Sequence, residues 1–244
     1  MKTAPNALLI TGTNTDAGKT VLTAALMAYW QQYDPSRSVA IFKPFQSGIG
    51  DREFYSQLFD LQQTLDEINP VYFNAPLALP IAAALDGKTI SMELPWQTLQ
   101  SLMQRHDFVL IEGAGGLGSP VTFETTVADL AADWKVPIVL VVPVKLGAIS
   151  QVVANIALAE RSGLRVKGIV RNCVTPCSEE DVENWANQAL IEQLTGIQVV
   201  GTLPYLEDIC DRDQLAKAAS YLDLEMLIPS LKVASYTTVA GGSE

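Results

Sequence analysis

Short apolar runs alternate with amphipathic segments along most of the chain. Six largely apolar runs, rich in β-branched residues, span 6–11, 38–43, 107–112, 137–142, 166–171 and 198–201. Continuous runs of this kind are typical of strands buried on both faces, which occur in parallel sheets. The pattern therefore predicts a mostly parallel sheet covered on both sides.

Segments with helical spacing of apolar residues separate these runs. They predict helices over 19–32, 125–135, 148–162 and 179–194, while the irregular segment 47–99 is expected to carry two or three helices over one edge. Strand–helix alternation predicts a doubly wound α/β fold with helices on both faces of the sheet. We expect one domain over 1–244, in which the small polar residues 235–244 form a frayed tail.

The amino-acid composition excludes several classes of partner and metal site. The formal net charge of −11 argues against nucleic-acid partners and a polybasic membrane patch. No stretch reaches the ~18 apolar residues of a spanning helix, so we expect a cytoplasmic protein without a membrane partner. The single histidine, His106, excludes a His-rich zinc site. Three cysteines, Cys173, Cys177 and Cys210, are expected to be ordinary reduced thiols.

A phosphate-binding loop is predicted where the first strand leads into Gly12-Thr-Asn-Thr-Asp-Ala-Gly-Lys-Thr20. The first glycine lies one residue earlier than in G-x-x-x-x-G-K-[ST], and Thr13 occupies the usual glycine position. Gly18 tolerates unusual dihedrals, and the loop N–H groups with the helix N-terminus can bind an anion. Lys19 would supply charge to the phosphates and Thr20 an oxygen to Mg²⁺. A simple turn is the alternative, but the strand before and the helix after favour a nucleotide site.

An acid follows four apolar residues in Phe108-Val-Leu-Ile-Glu112. Ligands in open α/β sheets bind outside the carboxyl ends of the strands. The sequence therefore predicts Glu112 at a strand end as a magnesium ligand, direct or through water. The alternative is a carboxylate that only hydrogen-bonds the following turn. The glycines in 113–116 leave room for a substrate or phosphate close to the backbone.

Two more lysines, Lys43 and Lys145, follow predicted strands. Pro44 cannot continue a central strand, so the chain turns there. Together with Lys19, these lysines predict a cationic rim at the strand ends of an acidic protein. Such a rim suits a nucleotide and a second anionic group, although a solvated Lys43 is the simpler alternative. Ser47 can donate a hydrogen bond in the same loop. Three acids are candidates for a second metal carboxylate: Asp51, Asp60 and Asp66.

Four motifs together resemble the dethiobiotin synthetase family. They are Gly12-Thr-x-Thr-x-x-Gly-Lys-Thr20, Lys43-Pro-x-x-Ser-Gly48, Glu112-Gly-Ala-Gly-Gly116 and Val144-Lys-Leu-Gly147. Each is shared with other P-loop proteins, but their order over nearly the whole chain is specific. The resemblance implies a ligase of biotin biosynthesis. Such enzymes make dethiobiotin from 7,8-diaminononanoate (7,8-diaminopelargonate), CO₂ and a nucleoside triphosphate, usually ATP, with Mg²⁺.

The resemblance also implies roles for individual residues. Lys19 and Lys43 would be catalytic, and Thr20, Asp51 and Glu112 would hold Mg²⁺; Asp51 is preferred because it opens a helix-like stretch. The nucleotide would contact Thr13, Asn14, Thr15, Asp16, Ala17, Gly18, Lys19, Thr20 and Val21, with Asn172, Pro204, Tyr205 and Leu206 around base and ribose. The substrate would contact Thr13, Lys43, Ser47, Gly115, Gly116, Lys145 and Gly147.

Some alternatives stay open at this point. Asn172 could instead cap its strand, and the sequence does not separate adenine from cytosine. Family members are homodimers, so residues 147–150 are expected near the partner's substrate. Cobyrinate-type amidating enzymes share a similar loop but add a glutaminase domain, for which 244 residues leave no room. Partitioning and septum-site ATPases usually carry an early lysine in the loop, where this chain has Thr13 or Asn14.

Overall fold

The computed structural model describes residues 6–228 as an α/β fold. Its strands are β1 (Ala7–Gly12), β2 (Val39–Phe42), β3 (Phe45–Ser47), β4 (Val71–Phe73), β5 (Phe108–Gly116), β6 (Ile138–Pro143), β7 (Val166–Asn172) and β8 (Val199–Leu203). Its helices are α1 (Lys19–Tyr33), α2 (Asp51–Leu58), α3 (Leu65–Ile68), α4 (Leu79–Leu85), α5 (Glu93–Arg105), α6 (Val127–Trp134), α7 (Ala148–Arg161), α8 (Glu179–Trp185), α9 (Gln188–Thr195), α10 (Arg212–Ala219) and α11 (Leu224–Leu227).

Six parallel strands form the main sheet in the order β2-β5-β1-β6-β7-β8. All six correspond to the predicted apolar runs, and the doubly wound fold is confirmed. Alternate residues of β1 point to opposite sides: Leu8 and Ile10 belong to one buried cluster, and Ala7 and Leu9 to another. Burial on both faces removes the polar alternation that a half-exposed strand needs, which explains the continuous apolar runs.

Helices cover the two sides of this sheet. On one side α1 packs with α10 through residues such as Leu26, Trp30 and Leu215. On the other side α5 and α6 bury Leu102 and Trp134 against β2 and β5. The central position of β1, between β5 and β6, sets the loop after β1 between the carboxyl ends of its neighbours. The fold therefore places the predicted phosphate loop at the centre of that edge.

Several predicted boundaries are wrong. The helix predicted over 179–194 is divided into α8 and α9, because Asn187 caps α9 by accepting the Leu190 N–H at 2.9 Å. Strand β5 does not end at Glu112 but continues to Gly116. The segment 47–99 contains α2, α3, α4 and the start of α5, more than the two or three helices expected. It also contains β4, which pairs with β3 in a small parallel sheet.

Other expectations concern the chain as a whole. The predicted tail, 235–244, lies outside the described residues. Within residues 6–228 no helix is both long and apolar enough to cross a membrane.

The three cysteines are free thiols, and burial raises the pKa of the Cys173 thiol to about 12. At neutral pH this thiol is therefore protonated and a poor nucleophile.

Candidate active site

The loop between β1 and α1 is built around a glycine with left-handed backbone. Gly18 precedes the first residue of α1 with φ of 91°, a conformation that costs other L-residues about 1–2 kcal/mol. Asn172, at the end of β7, donates its Nδ2 to the Ala17 carbonyl at 3.0 Å. This buried contact fixes the loop against β7. The α1 N-terminus thus faces the cavity with its first N–H groups available to an anion.

Gly18→Ala should lower affinity for a nonhydrolysable ATP analogue by at least about tenfold, or about 1.4 kcal/mol. A Cβ at this position would lie 1.8 Å from Asn172 Nδ2, so the loop or the asparagine must move. Gly163→Ala is the matched control, since Gly163 also has positive φ but its Cβ would meet nothing within 4 Å. Equilibrium binding measures both. Equal losses in the two variants would contradict a specific role for the loop contact.

Lys19 lies folded over the phosphate loop. Its Nζ donates to the carbonyl oxygens of Thr15 at 2.8 Å and Asn14 at 3.3 Å. Only 4% of the residue is exposed, and this burial lowers the pKa of Lys19 to about 8, although Glu112 opposes the shift. The ammonium is held by weak carbonyl partners at the point where the loop curves around an anion. It is placed to bind the phosphate groups of a nucleotide.

Two carboxylates, the buried Glu112 and the partly exposed Asp51, line the same cavity as Lys19. Thr20 Oγ1 lies 3.1 Å from Glu112 Oε1 and 3.4 Å from Asp51 Oδ1. Lys43 Nζ bridges the same two acids, at 2.6 Å from Glu112 Oε1 and 2.5 Å from Asp51 Oδ2. The three predicted metal ligands therefore converge. The other candidate acids, Asp60 and Asp66, are exposed and do not line the cavity.

The Lys43 ammonium remains charged in this cluster. Burial opposes the charge, but the carboxylates of Glu112 and Asp51 more than offset it, so the pKa of Lys43 is raised. The backbone holds Lys43 firmly: its N–H donates to the Ile68 carbonyl at 2.7 Å, and its carbonyl accepts Asn69 Nδ2 at 2.6 Å. The simpler alternative, a solvated lysine, is wrong because Lys43 is only 4% exposed.

Two side chains at the cluster were missed by the sequence analysis. Tyr55 is fully buried and its hydroxyl donates to Glu112 Oε2. Gln46 is 3% exposed and accepts the Arg52 N–H at 3.1 Å through its Oε1, which ties β3 to the first turn of α2. Tyr55 lies four residues after Asp51, so the i, i+4 spacing on α2 is the signal that could have identified it.

A cavity of about 370 Å³ contains this chemistry. Ten predicted residues line it: Thr15, Asp16, Gly18, Lys19, Thr20, Lys43, Ser47, Asp51, Glu112 and Gly115. A second cavity of about 490 Å³ shares Thr15, Ser47 and Gly115 with the first and continues along Leu77 and Leu79. A polar chamber and a partly apolar one therefore meet at the same loops.

The remaining predicted residues lie outside the cavity lining. Thr13, Asn14 and Ala17 belong to the loop, Val21 lies in the first turns of α1, and Gly116 ends β5. Lys145 and Gly147 are exposed between β6 and α7, so Lys145 does not join the other two lysines in this chain. Pro204, Tyr205 and Leu206 follow β8, on the same edge as Asn172. Their roles stay predictions.

Fold and loop together define a nucleotide-binding α/β protein of the P-loop class. A family model described as an AAA domain matches residues 6–212. The MinC:MinD cell division complex of Aquifex aeolicus is similar with a TM-score of 0.53 and 17% identity, over 87% of this chain and 86% of that one. A ParA family ATPase from Chlorobium tepidum gives 0.52 and 14%, over 92% and 96%. At these identities the likeness shows the fold alone.

Comparison with proteins of similar sequence identifies the family more specifically than the fold does. The chain is 51% identical to the ATP-dependent dethiobiotin synthetase of Gloeothece citriformis, over 91% of this chain and 99% of the relative. It is 51% identical to that of Crocosphaera subtropica over 90% and 98%, and 31% identical to that of Bacillus subtilis over 92% and 98%. The chain belongs to the dethiobiotin synthetase family, as its four motifs predicted.

Proposed function

We propose that this chain closes the ureido ring of dethiobiotin from 7,8-diaminononanoate and CO₂, with hydrolysis of ATP to ADP and phosphate. The observation that carries the proposal is the convergence of Lys19, Lys43 and the oxygen cluster of Thr20, Asp51 and Glu112 on one cavity. Family membership supplies the substrates. The cavity brings together two lysine ammonium groups and three oxygen side chains, and phosphoryl transfer uses groups of these kinds.

The oxygen cluster fits Mg²⁺. This ion prefers oxygen ligands and is usually bound by one or two carboxylates plus substrate phosphates. Thr20, Asp51 and Glu112 would hold it; no group of three or more His, Cys, Asp or Glu residues suited to a metal occurs in the described part of the chain. The carboxylates of Asp51 and Glu112 already bind one cationic group, because the Lys43 ammonium lies between them. When bound, Mg²⁺ would neutralise charge on the phosphates.

The residues of the chain then divide the reaction between them. The loop N–H groups and Lys19 bind the phosphates and hold the γ-phosphoryl group at the mouth of the cavity. One amine of the substrate, carbamylated by CO₂, attacks that group through a carbamate oxygen and releases ADP. Lys43, charged and anchored, stabilises the carbamate and the oxygens of the transferring group. The second amine then attacks the carbamate carbon, phosphate leaves and the ring closes.

The alkyl chain of the substrate extends from this point into the second cavity. Ser47 and Gly115 line both chambers, so they lie where the reacting end joins the chain. Leu77, Leu79 and Pro120 give the second chamber the apolar contacts that a hydrocarbon chain requires. Asn172 ends β7 and residues 204–206 follow β8, and the base and ribose of the nucleotide would lie beside them.

The chain is proposed to act as a homodimer. Leu146 is 87% exposed between Lys145 and Gly147, so the surface predicted to lie near the partner carries an unpaired apolar side chain. We expect light scattering at micromolar protein to give twice the 26.4 kDa mass of the chain. Leu146→Asp should shift the mass toward the monomer, whereas Leu85→Asp, at another exposed leucine, should not. A fully active wild-type monomer would contradict this proposal.

Phosphate release from ATP and Mg²⁺ tests the function directly. It is measured with and without 7,8-diaminononanoate and bicarbonate, and the product is identified by mass. Release that requires both additions, with a product heavier than the diamine by one carbonyl and lighter by two hydrogens, supports the proposal. Release that ignores the diamine overturns it. Inactivity with ATP is followed by CTP and GTP, and inactivity with all three also overturns it.

A further inference from the structure

Tyr55 lies beneath the oxygen cluster and contributes nothing to the cavity surface. The residue is fully buried within the core that α1 and α2 share, and its ring contacts Phe54 at 5.5 Å between centroids. Its hydroxyl donates to Glu112 Oε2. A tyrosine this deep must have a partner for its hydroxyl, and here the partner is a buried carboxylate.

The two oxygens of Glu112 therefore have different surroundings. Oε2 accepts the Tyr55 hydroxyl inside the protein, whereas Oε1 faces Thr20 at 3.1 Å and Lys43 at 2.6 Å. Glu112 is 1% exposed, so its carboxylate depends on donors from the protein. Oε2 therefore contacts the protein interior, and Oε1 faces the cavity. This division favours a carboxylate that binds a cation through a single oxygen.

Tyr55 lies in α2, the helix whose first residue, Asp51, lines the cavity. The same helix presents Asp51 one turn earlier, with its carboxylate directed at Thr20 and Lys43. Helix α2 thus carries one carboxylate of the cluster and the hydroxyl that orients the other.

We propose that Tyr55 is a positioning residue for the magnesium–nucleotide site, which orients Glu112 so that Oε1 faces the ion. The proposal rests on the magnesium role given to Glu112 under the proposed function. Hydrogen bonds from outside the ligand set commonly hold metal ligands in this way, and their loss costs about 10–100-fold in metal affinity or activity. The hydroxyl, and not the ring, carries the effect.

Tyr55→Phe tests this because it removes the hydroxyl and keeps the packing of the ring. Magnesium affinity is measured by calorimetry with a nonhydrolysable ATP analogue present and with neither diamine nor bicarbonate. We expect the magnesium dissociation constant to rise about tenfold. Tyr29→Phe is the matched control: Tyr29 is equally buried, but it lies ten residues into α1, about 15 Å along the helix from Lys19. Its magnesium affinity should equal that of the wild type.

A double-mutant cycle separates positioning from general loosening. In a Glu112→Gln background, Tyr55→Phe should change the magnesium dissociation constant by no more than about twofold, since the carboxylate it orients is gone. Thermal unfolding of each variant confirms that the compared proteins are folded. A rise of less than about threefold for Tyr55→Phe, or the same rise with and without Glu112, overturns the proposal.

The proposed function fails differently. If the wild type binds no magnesium in the presence of the ATP analogue, the proposed magnesium site is contradicted. If the wild type binds magnesium normally but releases no phosphate in response to the diamine, the proposed ligase reaction is contradicted and the role of Tyr55 is not. The affinity measurements therefore distinguish the two failures.

Discussion

Lys19→Ala is expected to lower turnover by about 10²–10³-fold, the usual effect of removing one donor that stabilises a transition state. Among residues 6–228, the close partners of the Lys19 ammonium are the loop carbonyls of Thr15 and Asn14, so the phosphates of the nucleotide become its main anionic partner. Phosphate release under saturating substrates measures the effect. Lys217→Ala, at an exposed lysine of α10, is the control and should retain wild-type turnover.

The fold should tolerate this substitution. Burial lowers the pKa of Lys19 to about 8, which means that the nucleotide-free protein holds its charge at a cost. The unfolded chain keeps the proton up to about 10.5, so through this group the stability of the wild type rises between those pH values. A variant that loses activity only because it unfolds would contradict the assignment, and a thermal melt detects that case.

Nucleotide affinity should depend on pH for the same reason. Phosphate binding favours the charged lysine, so ATP affinity is fully present below pH 8 and falls as pH rises through the pKa of the free enzyme. Lys19→Ala should abolish this dependence. Binding of the nonhydrolysable analogue between pH 7 and 9.5, with magnesium saturating, measures it. A wild-type affinity that stays constant over this range would count against Lys19 as the phosphate ligand.

Lys43→Met should also lower turnover by about 10²–10³-fold, but with a different effect on stability. Lys43 neutralises Glu112 and Asp51, and Glu112 is almost completely buried. Leaving a buried charge without its partner typically costs about 3–5 kcal/mol. Hydrogen bonds from Tyr55 and Thr20 remain, so we expect the lower end of this range in buffer containing EDTA.

Magnesium should restore part of that stability, because it can neutralise the same two carboxylates. The midpoint of thermal unfolding, measured in EDTA and in MgCl₂, should therefore rise more for Lys43→Met than for the wild type. Lys217→Ala again serves as control and should respond like the wild type. If magnesium affects the Lys43→Met protein no more than the wild type, Asp51 and Glu112 do not form the cation site.

Local patterns sufficed for the elements buried in the main sheet. The six apolar runs became six parallel strands, since strands covered on both faces need apolar residues at every position. The choice of Asp51 rested on the family resemblance, and α2 does begin at this residue. The phosphate loop and its two flanking elements were also predicted and found. These features depend on a few adjacent residues, whose chemistry does not require knowledge of distant contacts.

Boundaries and shared contacts were less predictable. Residues 179–194 have helical spacing throughout, yet Asn187 interrupts the helix because its side chain competes for backbone N–H groups. Strands β3 and β4 have three residues each, too few for a periodic signal, and they form because each pairs with the other. Lys145 also lies shortly after a strand, but of these two lysines it is Lys43 that forms ion pairs with acids, Asp51 and Glu112, in the part of the chain that the structure describes.

By itself the sequence determined the class of fold, the phosphate loop and the family, because these follow from periodicity and from short motifs in a fixed order. Only the tertiary structure decided which side chains meet. Lys43 follows β2, Asp51 begins α2 and Glu112 lies within β5. Tyr55 joins them through a turn of α2 that no motif includes. Such contacts depend on how β2, β5 and α2 pack together, and packing is a property of the whole chain.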